Sequence, residues 1–380
     1  MSRQPSVICV VGARPNFMKI APIMRELPRA GVRPILLHTG QHYDHALNQA
    51  FFDDLSIPKP DIELEVGSAS HAVQTAEIMR RFEPVLDASD AGAVLVVGDV
   101  NSTVACALVA AKKCVPVIHV EAGLRSGDRT MPEEINRIVT DALSELLFVT
   151  EREAIANLTR EGVAPDKIKF SGNVMIDTLL EHAAAAPDAA DVLATRGAQG
   201  GDAGSAEFIV LTLHRPSNVD EPEKLAGILN ALRVCAAGTP IVFPVHPRTA
   251  AQIDRFKLSR LIGAPDYIAL PPVGYLEMLG LIKGAKFVAT DSGGLQEETT
   301  ALGTPCITLR DNTERPVTVS EGTNTIVGSD PKTIPARVAA ALANGGKRGH
   351  VPELWDGMAA RRIAADVASY LSRPEMAGPT

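Results

Sequence analysis

Three groups of carboxylates stand where a chain of this kind could use them for proton transfer. Asp99 closes the apolar run GAVLVVGD, Glu121 closes VPVIHVE, and Glu133 with Glu134 opens a helical pattern that begins at Pro132. A carboxylate at the end of a buried strand has its pKa raised by desolvation and lowered by any neighbouring Arg or His. A general base is tuned by that balance. Competing structural roles exist: Asp99 could cap a helix starting at Ser102, and Glu133 or Glu134 could complement a helix dipole. Both readings stay open for Asp99 and Glu133. Glu121 is followed by Ala-Gly rather than directly by a helix, so there the catalytic reading leads.

A second set suits an anion. In Asp291-Ser292-Gly293-Gly294, paired glycines let a backbone approach a ligand closely. The amides of the helix expected from Leu295, with the Ser292 hydroxyl, form a phosphate site. Such glycine-rich turns also serve packing alone. Glu298, one turn further, is placed to take a ribose diol. Cations for a diphosphate occur at Arg14, Lys19, His214, Arg215, His246, Arg248, Arg310 and Arg315, of which Arg14, His214 and Arg315 are favoured over Arg248 and Arg310. His214 is carried among the catalytic candidates as well. No G-x-G-x-x-G follows a strand, and no G-x-x-x-x-G-K-[ST], H-E-x-x-H or paired C-x-x-C occurs. The acidic pair Asp53-Asp54 lies in a helical pattern, away from any strand end. A nicotinamide site, a P-loop and a metal clamp on the diphosphate are therefore not expected, and no cofactor or metal is assigned.

Short apolar runs bounded by Gly, Asp or Pro alternate with longer helical patterns, the mark of parallel βαβ units. Strands are expected from Ser6, Arg33, Gly92, Val115 and Glu145, and again, after a restart at Gly172 to Asp177, from Glu207, Pro240, Lys286 and Pro305. Helices are expected over 15–27, 102–112, 132–143, 221–234, 295–301 and 331–342, several with Asp, Asn or Ser as N-caps. The first half of 183–205 has a helical composition, and its glycine-rich end reads as a loop. The fold class is α/β, with two doubly wound Rossmann-like domains facing a central cleft: 1–172, 173–356, and a helix within 357–380 that crosses back onto the first domain. The clusters GARPN, HTGQH, GDVNST, HVEAGLRSG, LHRPSN, PVHPR, DSGG and LRDNTERP all follow strands, the edge at which parallel sheets bind ligands.

Composition agrees with a small-molecule enzyme. The 380 residues suit two domains, and 45 acidic against 37 basic residues give a formal charge of -8. Nucleic acid is not an expected partner. Five well-separated cysteines, mostly in apolar runs, read as reduced core residues, and no run of about 18 apolar residues suggests a membrane span. A cytoplasmic location and no membrane partner are expected.

GARPNFMKIAPIM, HTGQHYD, VVGDVNSTVA, HVEAGLRSGDRTMPEEINRIVTD, LHRPSN, DSGGLQEE and LRDNTERP, in this order, resemble the non-hydrolysing UDP-N-acetylglucosamine 2-epimerases from Val11 to about Asp330. The resemblance implies a fold like the two-domain GT-B glycosyltransferases, a homodimer, and UDP held mainly by the C-terminal domain. It places uridine-diphosphate contacts on Arg14, His214, Ser292, Gly293, Gly294, Glu298 and Arg315, the first-loop lysine on Lys19, and catalytic carboxylates on Asp99, Glu121 and Glu133. The implied reaction inverts C2 of UDP-N-acetylglucosamine to give UDP-N-acetylmannosamine for surface polysaccharides. C2 adjoins no carbonyl, so its proton is not acidic. The route left is elimination of UDP to a 2-acetamidoglucal and re-addition with the proton on the other face. Substrate-activated members read HRREN where this chain has HRPSN, and carry basic residues where this chain has GSASH, which argues against activation at a second site. Related readings are epimerisation of UDP-2,3-diacetamido-2,3-dideoxyglucuronate, a GT-B glycosyltransferase and a non-catalytic UDP-sugar sensor.

Overall fold

The computed structural model describes residues 4–40, 55, 57–197, 207–263 and 266–373. The expectations on Gln41, His42, Asp53, Asp54 and the glycine-rich end of 183–205 lie outside these residues. The chain forms two compact units, one running to Glu181 and resuming at Glu353, the other from His182 to Pro352.

Among the described residues the first unit carries a seven-stranded sheet. Its strands are β1 (Ser6–Val11), β2 (Arg33–His38), β3 (Ile62–Glu63), β4 (Ala93–Val97), β5 (Val117–Val120), β6 (Leu146–Val149) and β7 (Ile168–Phe170). Their order is β3-β2-β1-β4-β5-β6-β7, and every pair is parallel. The second unit repeats the plan with β8 (Ile209–Thr212), β9 (Ile241–Pro244), β10 (Tyr267–Leu270), β11 (Phe287–Thr290), β12 (Cys306–Thr308) and β13 (Asn324–Ile326), ordered β10-β9-β8-β11-β12-β13 and again parallel. The order reverses between β1 and β4 in one sheet and between β8 and β11 in the other. In open parallel sheets ligands bind at such reversals, beyond the carboxyl ends of the strands.

All nine strands expected from the sequence are present. The four not foreseen, β3, β7, β10 and β13, are the four sheet edges. Edge strands are partly exposed and short, so they lack the continuous apolar runs that reveal a strand covered on both faces. The central strands β1, β4, β5 and β6 are buried throughout.

The expected helices appear at Arg14–Arg29, Asn101–Lys112, Pro132–Leu143, Pro222–Ala236, Gly293–Leu302 and Ile334–Leu342, and the 183–205 stretch contains a short one at Ala189–Thr195. Their expected side-chain caps do not appear: none of these helix starts receives a capping bond from its N-cap side chain. The acids beside two of them are turned to other partners, Asp99 to Arg137 and Asp291 to His214 and Asn218. A further helix, His71–Ala88, buries Gln74, Ile78, Phe82 and Leu86, a strict four-residue spacing that its internal Pro84 obscures in the sequence. No helix among the described residues is long and apolar enough to cross a membrane.

The last helix, Ala359–Leu371, packs against Arg14–Arg29 within the first unit. Ahead of it Trp355, 2% exposed, donates its indole N–H to the Thr150 carbonyl at 3.1 Å. The helix takes its cap from far away in sequence: the Asp177 carboxylate accepts the Ala359 and Ala360 amides at 3.1 and 2.7 Å. Burial, aided by the charge of Asp356, raises the Asp177 pKa from 3.8 to about 6 despite these amide bonds. Between those two values the folded protein holds a proton that the unfolded chain has released. The contribution of this group is therefore complete at low pH and falls away as pH rises through about 6. Replacing Asp177 with Asn is expected to flatten the stability profile across that interval. Thermal unfolding of both proteins, measured from about pH 4 to about pH 7 at constant ionic strength, checks this; parallel profiles would remove Asp177 as the titrating group.

Candidate active site

At the reversal in the first sheet, the loop after β1 is tied to the end of β4 by one side chain. Asn16 accepts the Gly12 and Ala13 amides at 3.2 and 3.0 Å and donates to the Val97 carbonyl at 2.9 Å. One turn further along the same helix, the Lys19 ammonium forms an ion pair with the Glu121 carboxylate. Lys19 is 6% and Glu121 4% exposed. Partial desolvation strengthens such a pair far beyond a surface one, and removal of either partner leaves a buried charge.

The backbone under this pair is unusual. Glu121 has φ +71°, a left-handed conformation that costs a residue with a Cβ about 1 kcal/mol or more. The Glu121 and Ala122 amides both reach the Phe148 carbonyl at 3.0 Å, which holds the turn in place. Gly98, also left-handed at φ +67°, lies directly against the pair. A Cβ there would stand 3.1 Å from Lys19 Nζ and 3.3 Å from a Glu121 carboxylate oxygen.

Asp99 follows Gly98 and pairs with the Arg137 guanidinium, which also binds Glu134 at 2.8 Å. The two adjacent glutamates now separate. Glu134, 2% exposed, accepts the Ser126 and Gly127 amides at 3.0 Å; burial works to raise its pKa, but these amides and Arg137 outweigh burial and leave it low. The half-buried Glu133 carboxylate makes no hydrogen bond or ion pair with any described residue. Asp99 does not cap the neighbouring helix, whose N-cap is Val100.

The reversal in the second sheet is organised by Asp291, which has no exposed surface. Its carboxylate accepts the His214 and Arg215 amides at 3.1 and 3.0 Å, Asn218 Nδ2 at 3.1 Å, and His214 Nδ1 at 3.0 Å. Burial alone would raise its pKa; His214 and these donors bring it below the ordinary value. His214 is thereby oriented, with about a third of its side chain exposed. Ser292 is the N-cap of the ten-residue helix Gly293–Leu302, yet its side chain caps nothing. As the first two residues of the helix, Gly293 and Gly294 carry amides with no intrahelical acceptor.

Charged pairs line the same strand ends. A Cβ on Gly293 would stand 2.7 Å from the Glu314 carboxylate, which binds Arg310 at 2.7 Å and Arg215 at 3.4 Å. Those cations, with Arg315, hold Glu314 well below the ordinary carboxylate range against the effect of burial. Arg315 pairs with Glu297 at 2.7 Å. Glu298 is different: full burial, helped by the charge of Glu297, raises its pKa from 4.5 to about 8. Arg248, one of the two disfavoured cations, is exposed and paired with Asp220, while Arg310, the other, is buried on Glu314.

The structure thus brings Lys19 to Glu121, sets Asp99 and Glu133 on neighbouring elements of the same unit, and gathers His214, Ser292, Gly293, Gly294, Glu298 and Arg315 at the strand ends of the other. Arg14 opens its helix, but its side chain lies outside the described residues. The sequence alone assigns no role to Asn16, Arg137, Asp291, Glu297 and Glu314. Of these only Asp291 carried a signal, as the first polar residue after an apolar run.

The family model for UDP-N-acetylglucosamine 2-epimerase matches residues 25–368. The chain belongs to this family. The UDP-N-acetylglucosamine 2-epimerase of Methanocaldococcus jannaschii is 40% identical over 357 residues, 93% of this chain and 96% of its own. The crystal structure of that archaeal enzyme with UDP-GlcNAc and UDP superposes with a TM-score of 0.87 at 38% identity, covering 96% of this chain and 99% of the other. The UDP-2,3-diacetamido-2,3-dideoxy-D-glucuronate 2-epimerase of Pseudomonas aeruginosa is 40% identical over 327 residues, 85% of this chain and 88% of its own. The protein is accordingly an epimerase of this family with a GT-B-like α/β fold.

The crowding at Gly98 predicts a measurable cost. Gly98→Ala adds a methyl group against Lys19 and Glu121, whereas Gly31→Ala, at φ +82° with nothing within 4 Å, adds only backbone strain. Both are expected to lose about 1 kcal/mol from the left-handed backbone, and Gly98→Ala more. Urea unfolding of the two variants checks the difference.

Proposed function

We propose that the protein interconverts UDP-N-acetylglucosamine and UDP-N-acetylmannosamine by eliminating UDP across C1 and C2 and adding it back to the 2-acetamidoglucal. The observation that carries this reading is Glu121, a carboxylate held against Lys19 at a strand end, in a strained backbone, with Asp99 and Glu133 on neighbouring elements. Two carboxylates of suitable basicity can remove and return the C2 proton on opposite faces. His214, Ser292, Gly293, Gly294, Arg14 and Arg315 would take the departing diphosphate, and Glu298 the ribose diol. A glutamate whose pKa sits near 8 can donate a hydrogen bond as well as accept one, which suits a diol. Preorganised cations and amides favour charge developing on the leaving group. The product would supply N-acetylmannosamine units for polysaccharide synthesis.

The 40% identity to the diacetamido-glucuronate epimerase supports a second reading, the same chemistry on a sugar differing at C3 and C6. One experiment separates them. Incubation with UDP-GlcNAc in deuterated water, without acceptor, metal or NAD, is expected to place deuterium at C2 and to yield UDP-ManNAc. Exchange only with the diacetamido-uronate would move the substrate; exchange with neither would end the epimerase reading for this chain. Glu121→Gln is expected to lower kcat by about 10²- to 10⁴-fold, the usual weight of a general base.

A further inference from the structure

His119, the third residue of β5, has no exposed surface, and each of its ring nitrogens meets a protein oxygen. Nδ1 lies 2.6 Å from Asp141 Oδ1, and Nε2 lies 2.8 Å from the Gly98 carbonyl. The other Asp141 oxygen accepts the Gly123 amide at 3.0 Å and the Arg125 guanidinium at 2.7 Å. Burial would raise the Asp141 pKa, but the hydrogen bond from His119 and the fixed charge of Arg125 outweigh it, and the group stays ionised. An ionised carboxylate and a backbone carbonyl can only accept hydrogen bonds, so both ring nitrogens must donate.

The carbonyl that His119 grips belongs to the peptide joining Gly98 to Asp99. The Gly98 amide on the other side donates to Val120 at 3.0 Å, so this residue is clamped at both ends by β5. Its Cα in turn is the floor on which Lys19 and Glu121 meet. Gly98 therefore links the backbone that carries Asp99 to the seat of the Lys19–Glu121 pair.

We propose that His119 and Asp141 form a buried imidazolium–carboxylate pair that positions Asp99 and Glu121 by fixing the Gly98–Asp99 peptide. They are positioning residues, since neither would touch the sugar. The proposal rests on the reading that Asp99 and Glu121 move the C2 proton, and the test is arranged to separate the two.

His119→Leu removes both donors at similar volume. It is expected to lower kcat about 100-fold, the order of effect that a displacement of about 1 Å produces, with KM for UDP-GlcNAc changed less than about threefold. His119→Gln, which keeps an N–H for the Gly98 carbonyl, is expected to recover at least about tenfold of that loss. Asp141→Asn keeps the shape and removes the charge, and should also lower kcat rather than raise KM; it carries the test if His119→Leu does not fold. In histidine-labelled wild-type protein, nitrogen NMR should show hydrogens on both ring nitrogens of His119 at neutral pH. A single ring N–H, unchanged kcat in Asp141→Asn, or equal losses in His119→Leu and His119→Gln would overturn the proposal. If the wild type shows no C2 exchange at all, the reaction has been misread, and the NMR result still decides the pair.

Discussion

A parallel sheet covered by helices on both faces leaves an unpaired charged side chain nowhere to go except the strand ends. The middles of β1, β4 and β6 are buried apolar runs, β5 admits His119 only with a partner at each ring nitrogen, and burying an unpaired charge among them would be prohibitive. Where the strand order reverses, adjacent crossover helices leave in opposite directions, and the ends of the central strands stand open. The polar residues of this chain collect there in both units: Asn16, Lys19, Asp99 and Glu121 in one, His214, Asp291, Ser292 and Arg315 in the other. The fold does not need these particular residues, but it dictates the few places where such residues can stand.

Within those places, charge is handled by pairing. Lys19 answers Glu121, Arg137 answers Asp99 and Glu134, Arg310 answers Glu314, and Arg315 answers Glu297. Each acid with a firm partner or several amide donors, such as Asp291, Glu314 and Glu134, is held ionised and serves as an anchor. Glu298 breaks the pattern, since its neighbour Glu297 is itself an acid and burial pushes it towards the neutral form. Glu133 stands outside this pairing among the described residues, while Glu121, Asp99 and Arg315 would meet a ligand with their partners already in place.

Much of this was legible in the sequence because the signals are local. A continuous apolar run marks a central strand, and the polar residue that ends it marks the site, which is how Asp99, Glu121 and the Ser292–Gly294 turn came to notice. Signals that depend on distant partners were not legible. The edge strands β3, β7, β10 and β13 take their identity from one neighbour and show no run of their own. Arg137 matters because it reaches Asp99, and nothing in PEEINR announces that contact. Glu133 and Glu134 are indistinguishable as text, and only the amides of Ser126 and Gly127 assign the anchor to the second. At the helices beginning at Asn101 and Gly293 the expected caps are absent for the same reason, as Asp99 and Asp291 have partners elsewhere.

The bond between Asp177 and the start of the last helix also orders events in time. The carboxylate leaves the ribosome long before the two amides it caps, with the whole second unit made in between. At ordinary rates of synthesis those roughly 170 residues take about ten to thirty seconds. Throughout that interval the Arg14–Arg29 helix lacks the covering that Ala359–Leu371 later gives it, and Thr150 lacks its indole donor. The nascent first unit therefore waits for its last helix, whose buried Ile363, Val367 and Tyr370 complete its packing only after the second unit has been made.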